Sequence, residues 1–132
     1  MQDKRNIGMT QKNDCLFCNK SEFILENEYW TCIYDNYPVS KGHTLIIPKR
    51  HFNDYFLSTE TERIYFDSIL FKLKEHLDKE YTPDGYNVGF NVNQEGGQTI
   101  FHCHVHVIPR YRGDVENPRG GVRGVIPSRQ NY

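Results

Sequence analysis

No apolar run in this 132-residue sequence is long enough to cross a membrane, and the polar N-terminus has no apolar core of the kind a secretory signal carries. A cytoplasmic protein without a membrane partner is the expectation. No internal repeat or low-complexity block is present. Net charge is nearly absent as well, since 16 Lys and Arg against 17 Asp and Glu leave −1. A general nucleic-acid binder carries a basic surplus, so nucleic acid is not an expected partner. Cysteines number only four. In a reducing compartment they are thiols or metal ligands rather than disulfides. Cys32 and Cys103 stand alone in apolar runs and read as small core residues. Lysine is missing from residues 110–132, where five arginines face only Asp114 and Glu116. Arginine suits phosphate and carboxylate forks, although a solvated basic tail has the same composition.

What is present describes one globular domain, 37% hydrophobic and 14% aromatic. Three segments follow: a loose polar leader over 1–13, the domain proper over 14–110, and an Arg-rich tail over 111–132. Phe23–Leu25 and Tyr29–Tyr34, split by Glu26-Asn27-Glu28, predict a hairpin. His43–Pro48 predicts a third strand and Tyr86–Val92 a fourth. Thr59 with Glu62 forms a capping box opening one long helix that runs to about Glu80. Its apolar stripe is Tyr65, Phe66, Ile69, Leu70, Leu73 and Leu77, while His76 lies among charged neighbours. The fold class expected is α+β, an antiparallel sheet of about five strands with one long helix across it.

The run from Phe101 to Pro109 is the most informative stretch. His102, His104 and His106 alternate with Cys103, Val105 and Val107. Strand side chains alternate faces, so the run predicts a strand with one face of imidazoles and one apolar face. Each ring carries polar nitrogens that a core leaves without partners. Three chemistries use such a row: a metal site, a pH switch, or nucleophilic catalysis. Residues two apart on a strand are separated by roughly 6.6 Å, whereas metal–imidazole bonds are about 2 Å long. All three rings therefore do not share one ion. Gly96-Gly97-Gln98-Thr99 precedes the run, and glycines permit a nest of backbone N–H groups for an anion. Cys15-x-x-Cys18 has the spacing of a zinc knuckle, a redox pair, or an incidental repeat.

Residues 98–108, Gln-Thr-Ile-Phe-His-Cys-His-Val-His-Val-Ile, resemble the signature of the histidine-triad superfamily of nucleotide hydrolases and transferases. Residues 41–51, Lys-Gly-His-Thr-Leu-Ile-Ile-Pro-Lys-Arg-His, resemble that superfamily's second block. The tail over 109–123 is similar to a bacterial, dinucleoside-polyphosphate-hydrolase-like branch. The resemblance implies the histidine-triad fold and a nucleotide substrate, with adenine nucleotides such as diadenosine polyphosphates expected. It implies that His104 attacks the α-phosphate, that His43 supports it, and that His106 contacts the phosphate or bridging oxygens and helps charge leave. It assigns Asn91, Gly97, Gln98 and Thr99 to the phosphoryl oxygens and Asp35 to the ribose. Phe17 and Ile24, apolar and near the first strands, are candidates to sandwich the base. The resemblance also implies a structural zinc on Cys15, Cys18, His51 and His102, and a homodimer formed through the long helix and the adjacent strand. A need for added divalent ion such as magnesium is left open. Phosphoramidate cleavage, nucleotidyl transfer to phosphate, a nucleotide sensor and a catalytic metal hydrolase are the competing functions.

Overall fold

The structure, a computed structural model, describes residues 15–18 and 22–132. The expected leader over 1–13 and the first residue of the expected domain lie outside the described residues. Five strands form one antiparallel sheet: β1 (Leu25–Glu26), β2 (Trp30–Tyr34), β3 (Thr44–Pro48), β4 (Gly85–Gly89) and β5 (Val105–Arg110). Their order across the sheet is β1-β2-β3-β5-β4, and one long helix, α1 (Glu60–Tyr81), packs on one face. Among the described residues no helix is long and apolar enough to cross a membrane.

Local chemistry sets the elements. The β1–β2 hairpin turns on Asn27, whose side-chain oxygen accepts from the Tyr29 and Trp30 amides, 2.9 Å each. At the start of α1, Thr59 accepts from the Glu62 amide and Glu62 accepts from the Thr59 amide, so the capping box is complete. Glu62 also takes a two-pronged bond from Arg50 at 2.9 Å each, and its carbonyl accepts from the Trp30 indole at 2.7 Å. The segment leading to His51 is thereby tied to the helix and to β2. Thr82, left-handed at φ 44°, ends the helix before Pro83. Ile69, Leu73 and Leu77 then bury against Trp30, Cys32, Ile46, Val105 and Val107.

All five strands are shorter than expected, β4 and β5 by the most. β4 stops at Gly89, and the histidine run enters the sheet only at Val105. The cause is visible in the backbone. The Cys103 amide donates to the Phe52 carbonyl at 2.7 Å, so this segment is pinned to the loop after β3 instead of to a neighbouring strand. β5 pairs with β3 from Ile46↔Val105 onward and with β4 from Gly89↔His106. The Arg-rich tail closes on itself through short turns. Arg119 and Arg123 both lie 4.7 Å from the Tyr132 ring centre, and Arg110 is spent on Asp114 and Asn87.

Candidate active site and metal centre

The face of the sheet opposite α1 carries the chemistry. Ile33, Leu45 and Ile47 project to it, and the register sets Leu45 against His106. Two-residue periodicity brings His43 and His104 to the same face. Here a cavity of about 630 Å³ is lined by Phe17, Asp35, His43, Asn91, Gly97, Thr99, His104 and His106, with Leu16, Tyr37 and Val39 at its walls.

The hydrogen bonds fix the ring tautomers. His104 Nδ1 lies 2.9 Å from the His102 carbonyl, which can only accept. The neutral ring therefore keeps its proton on Nδ1 and leaves Nε2 with a bare lone pair. Burial holds its pKa below the ordinary value, against the His102 bond and the Asp35 charge. His43 has the opposite tautomer. The Val39 amide donates to His43 Nδ1 at 3.1 Å, so the proton sits on Nε2 and points at His106 Nδ1, 2.9 Å away. His106 Nδ1 then accepts, and its own N–H is Nε2–H. Asp35 Oδ2 stands 3.4 Å from His43 Nε2 and 4.0 Å from His106 Nδ1, while its Oδ1 accepts from the Tyr37 amide. Burial, then the neighbouring His104 and His43 rings, push the His106 pKa down to about 4, with Asp35 opposing. Burial also lowers His43, again against Asp35.

Asp35, His43 and His106 form a group with metal-ligand character. Their hydrogen bonding does not fit an ion. Nε2 ligation requires the neutral ring's proton on Nδ1, where it would meet the Val39 N–H head on. The cluster is a hydrogen-bonded relay, so the chemistry of a catalytic metal hydrolase does not fit this donor set.

Three expectations need correction. Gln98 is buried, and its carboxamide is engaged with the Asn93 amide and the Asn53 and Ile100 carbonyls, so it braces the loop instead of facing the cavity. The expected nest of amides is absent over 96–98, because those three N–H groups donate to Asn93 and Gln94 carbonyls inside the loop. Gly97 is needed for its φ of +94°, not for space, since a Cβ there would meet Asn91 only at 3.8 Å. Ile24 packs against the helix-side core, away from the cavity. Asn91 and Thr99 do line the cavity, and no hydrogen bond among the described residues engages either side chain. Sequence reading missed the Val39 amide and the Pro48 carbonyl, because backbone groups carry no residue-type signal.

The second centre lies beside the first. Cys18 Sγ is 3.1 Å from His51 Nδ1 and 3.2 Å from His102 Nδ1, and Cys15 Sγ is 3.4 Å from His102 Nδ1. The two Nδ1 atoms are 3.0 Å apart. His102 Nε2 donates to the Pro48 carbonyl at 2.9 Å, which leaves Nδ1 bare and aimed at the sulfurs. Burial lowers its pKa to about 4, so the ring is in the neutral form a metal requires. Two thiols and two ring Nδ1 atoms converge, with all four donor atoms within 4.8 Å of one another, and that donor set fits a tetrahedral Cys₂His₂ ion.

The model of the HIT domain matches residues 17–113. This chain belongs to the HIT, or histidine-triad, family. An uncharacterized 16.1 kDa HIT-like protein of Mycoplasma pneumoniae is 39% identical over 106 residues, covering 75% of this chain and 73% of the relative. The crystal structure of a Zn-bound histidine triad family protein from Mycobacterium smegmatis superposes with a TM-score of 0.70 at 30% identity, covering 79% of this chain and 80% of the other. Adenylylsulfatase HINT3 of Arabidopsis thaliana is 33% identical over 118 residues, covering 85% of this chain and 60% of the relative. Five antiparallel strands with one helix are the architecture of the HIT-family structures. Membership places the chain in a superfamily of nucleotide-binding proteins and nucleotide hydrolases.

Proposed function

We propose that this protein is a nucleotide hydrolase that works through a nucleotidyl-histidine intermediate on His104. The observation that carries the reading is the His104 tautomer: a bare Nε2 in a cavity, opposite an Nδ1–H held by the His102 carbonyl. The Nε2 lone pair forms a bond to the α-phosphorus, and the bond from phosphorus to the leaving group breaks. The ring becomes cationic while it holds the nucleotidyl group, and the His102 carbonyl stabilises that charge through Nδ1–H. Water then adds to phosphorus and passes a proton to bulk solvent. The N–P bond breaks, and nucleoside monophosphate leaves with the neutral ring restored. His106 offers Nε2–H to the departing atom, oriented by His43. Asn91 and Thr99 donate to the phosphoryl oxygens, and Gly97, by its left-handed turn, sets the loop that carries Thr99 beside them. Asp35 accepts from the ribose hydroxyls while bracing the two histidines, and Phe17 walls the base, for which adenine is the expectation.

The leaving group is the open choice. A dinucleoside polyphosphate brings a chain of negative charge, yet no Lys or Arg is among the described residues that line the cavity, and Asp35 adds a carboxylate. That favours a second reading, a single nucleotidyl group on a less charged leaving group, as in a nucleoside phosphoramidate. A polyphosphate substrate then needs a divalent ion such as magnesium to offset its charge. Adenylyl sulfate, which the Arabidopsis relative's name indicates, lies between the two.

A zinc on Cys15, Cys18, His51 and His102 is structural in this reading, because four protein ligands leave no open position. The long helix and the β4 edge, with Phe71 and Val88 exposed, are the expected homodimer surface. The test is a substrate panel of diadenosine polyphosphates, adenosine phosphoramidate and adenylyl sulfate, with acid-quench trapping of the nucleotidyl-enzyme. His104→Ala is expected to lower turnover by about three orders of magnitude or more and to leave nucleotide binding in place. Wild-type protein that binds nucleotide without turnover or trapped intermediate would establish a sensor instead.

A further inference from the structure

The single hydrogen bond from Nδ1 to the His102 carbonyl sets the His104 proton but leaves the ring able to swing about that bond. A nucleophile must also hold its plane, so that the Nε2 lone pair points at phosphorus. Two rings touch His104. One is His106, centred 5.3 Å away and itself lining the cavity. The other is Phe17, centred 5.0 Å away at an interplanar angle of 64°, an edge-to-face contact.

Phe17 is unusually well placed to hold something still. It sits between Cys15 and Cys18, so both of its chain flanks lead into the Cys/His centre. Its ring also meets His102 edge-on at 6.0 Å and 87°, and it packs on Ile33, Leu45 and Ile47. Among the described residues no helix lies over that three-residue cluster, and Phe17 is a partly buried apolar side chain packed against it. His102 reaches the nucleophile by a second route, since its ring faces the cysteines while its carbonyl holds His104 Nδ1.

We propose that Phe17 is a positioning residue for the nucleophile: carried by the two-cysteine knuckle, it fixes the plane of the His104 ring, so that closing the Cys/His centre completes the active site. This rests on His104 being the nucleophile. It does more than wall the base, because the contact is with the reacting ring. A loose knuckle would release Phe17 and uncover the Ile33–Leu45–Ile47 patch, leaving His104 held at one atom.

The test uses the zinc-loaded full chain and its Phe17→Ala, Phe17→Leu and Phe17→Tyr variants. Adenosine phosphoramidate is the probe, single-turnover formation of nucleotidyl-His104 the kinetic readout, and imidazole NMR of His104 the spectroscopic one. Phe17→Ala is expected to slow formation of the intermediate about ten- to a hundredfold. It should also shift and broaden the carbon-bound ring protons of His104 while the Nδ1–H tautomer persists. Phe17→Leu, which still covers the patch but lacks a ring edge, falls between, and Phe17→Tyr recovers most of the rate. Should Phe17→Ala lose zinc, the Leu and Tyr variants carry the comparison. A rise in KM alone, with unchanged rate and unmoved His104 resonances, would make Phe17 a base wall only and overturn the proposal. If wild type forms no nucleotidyl-His104, the nucleophile reading fails. Ring signals that still respond to Phe17→Ala would then show that Phe17 holds the His104 ring while its catalytic meaning falls with the nucleophile, and unmoved signals would end both.

Discussion

The two faces of the sheet are held by different means. The α1 face is an ordinary core, in which Trp30, Ile46, Leu73, Leu77 and Val105 interlock and nearly all the stabilisation is apolar burial. The histidine face has three buried aliphatic residues, Ile33, Leu45 and Ile47, with Phe17 over them, and its remaining order comes from hydrogen bonds and a Cys/His cluster. A face that must admit a ligand cannot be closed by a helix. Polar contacts of fixed direction, together with a metal-ligand set, give rigidity without filling the cavity.

That contrast is open to direct attack. The largest effect is expected from the four residues proposed to hold zinc. Cys18→Ser should empty the centre, seen by elemental analysis, and cost roughly 4 kcal/mol where free metal stands about a thousandfold above its Kd. Hydrogen exchange should show the Ile33, Leu45 and Ile47 amides losing protection ahead of the Leu73 amide. Equal loss on both faces would dissolve the distinction. Leu73→Ala attacks the other face. It should cost about 2–5 kcal/mol in denaturant unfolding, with zinc content and turnover per folded molecule unchanged. A drop in zinc content would show that the faces are coupled through Cys103.

The smallest effect is in pH. His106 is held at about 4 in the fold, below its ordinary 6.5. As pH falls, the unfolded chain therefore binds this proton first. Stability is full above 6.5 and is lost progressively as pH drops toward 4. Thermal melts of His106→Asn should show a shallower acid slope than wild type over that window. An identical slope would mean that this ring contributes nothing to the polar face.

Much of this arrangement was legible in the residues. The capping box at Thr59 and Glu62, the Ile69–Leu73–Leu77 stripe, and the alternation that sends His104 and His106 opposite Val105 and Val107 follow from period and residue type. The convergence of Cys15, Cys18, His51 and His102 was implied by resemblance. Legibility failed where backbone groups decide. That His102 and His104 precede the sheet ladder follows from a bond between Cys103 and Phe52, and the loop's use of its own amides removed the expected nest. Gln98 looks identical in sequence whether it faces a phosphate or, as here, the Asn53 carbonyl.

Residue identity and spacing supply the available chemistry: three alternating imidazoles, a cysteine pair, and a fold able to bring them to one side of a sheet. Which nitrogen of His43, His102, His104 and His106 lacks a proton follows from three-dimensional packing alone. A tautomer depends on whether an N–H or a carbonyl stands opposite, as the Val39 amide does for His43 and the His102 carbonyl for His104, and neither depends on the side chain its residue carries.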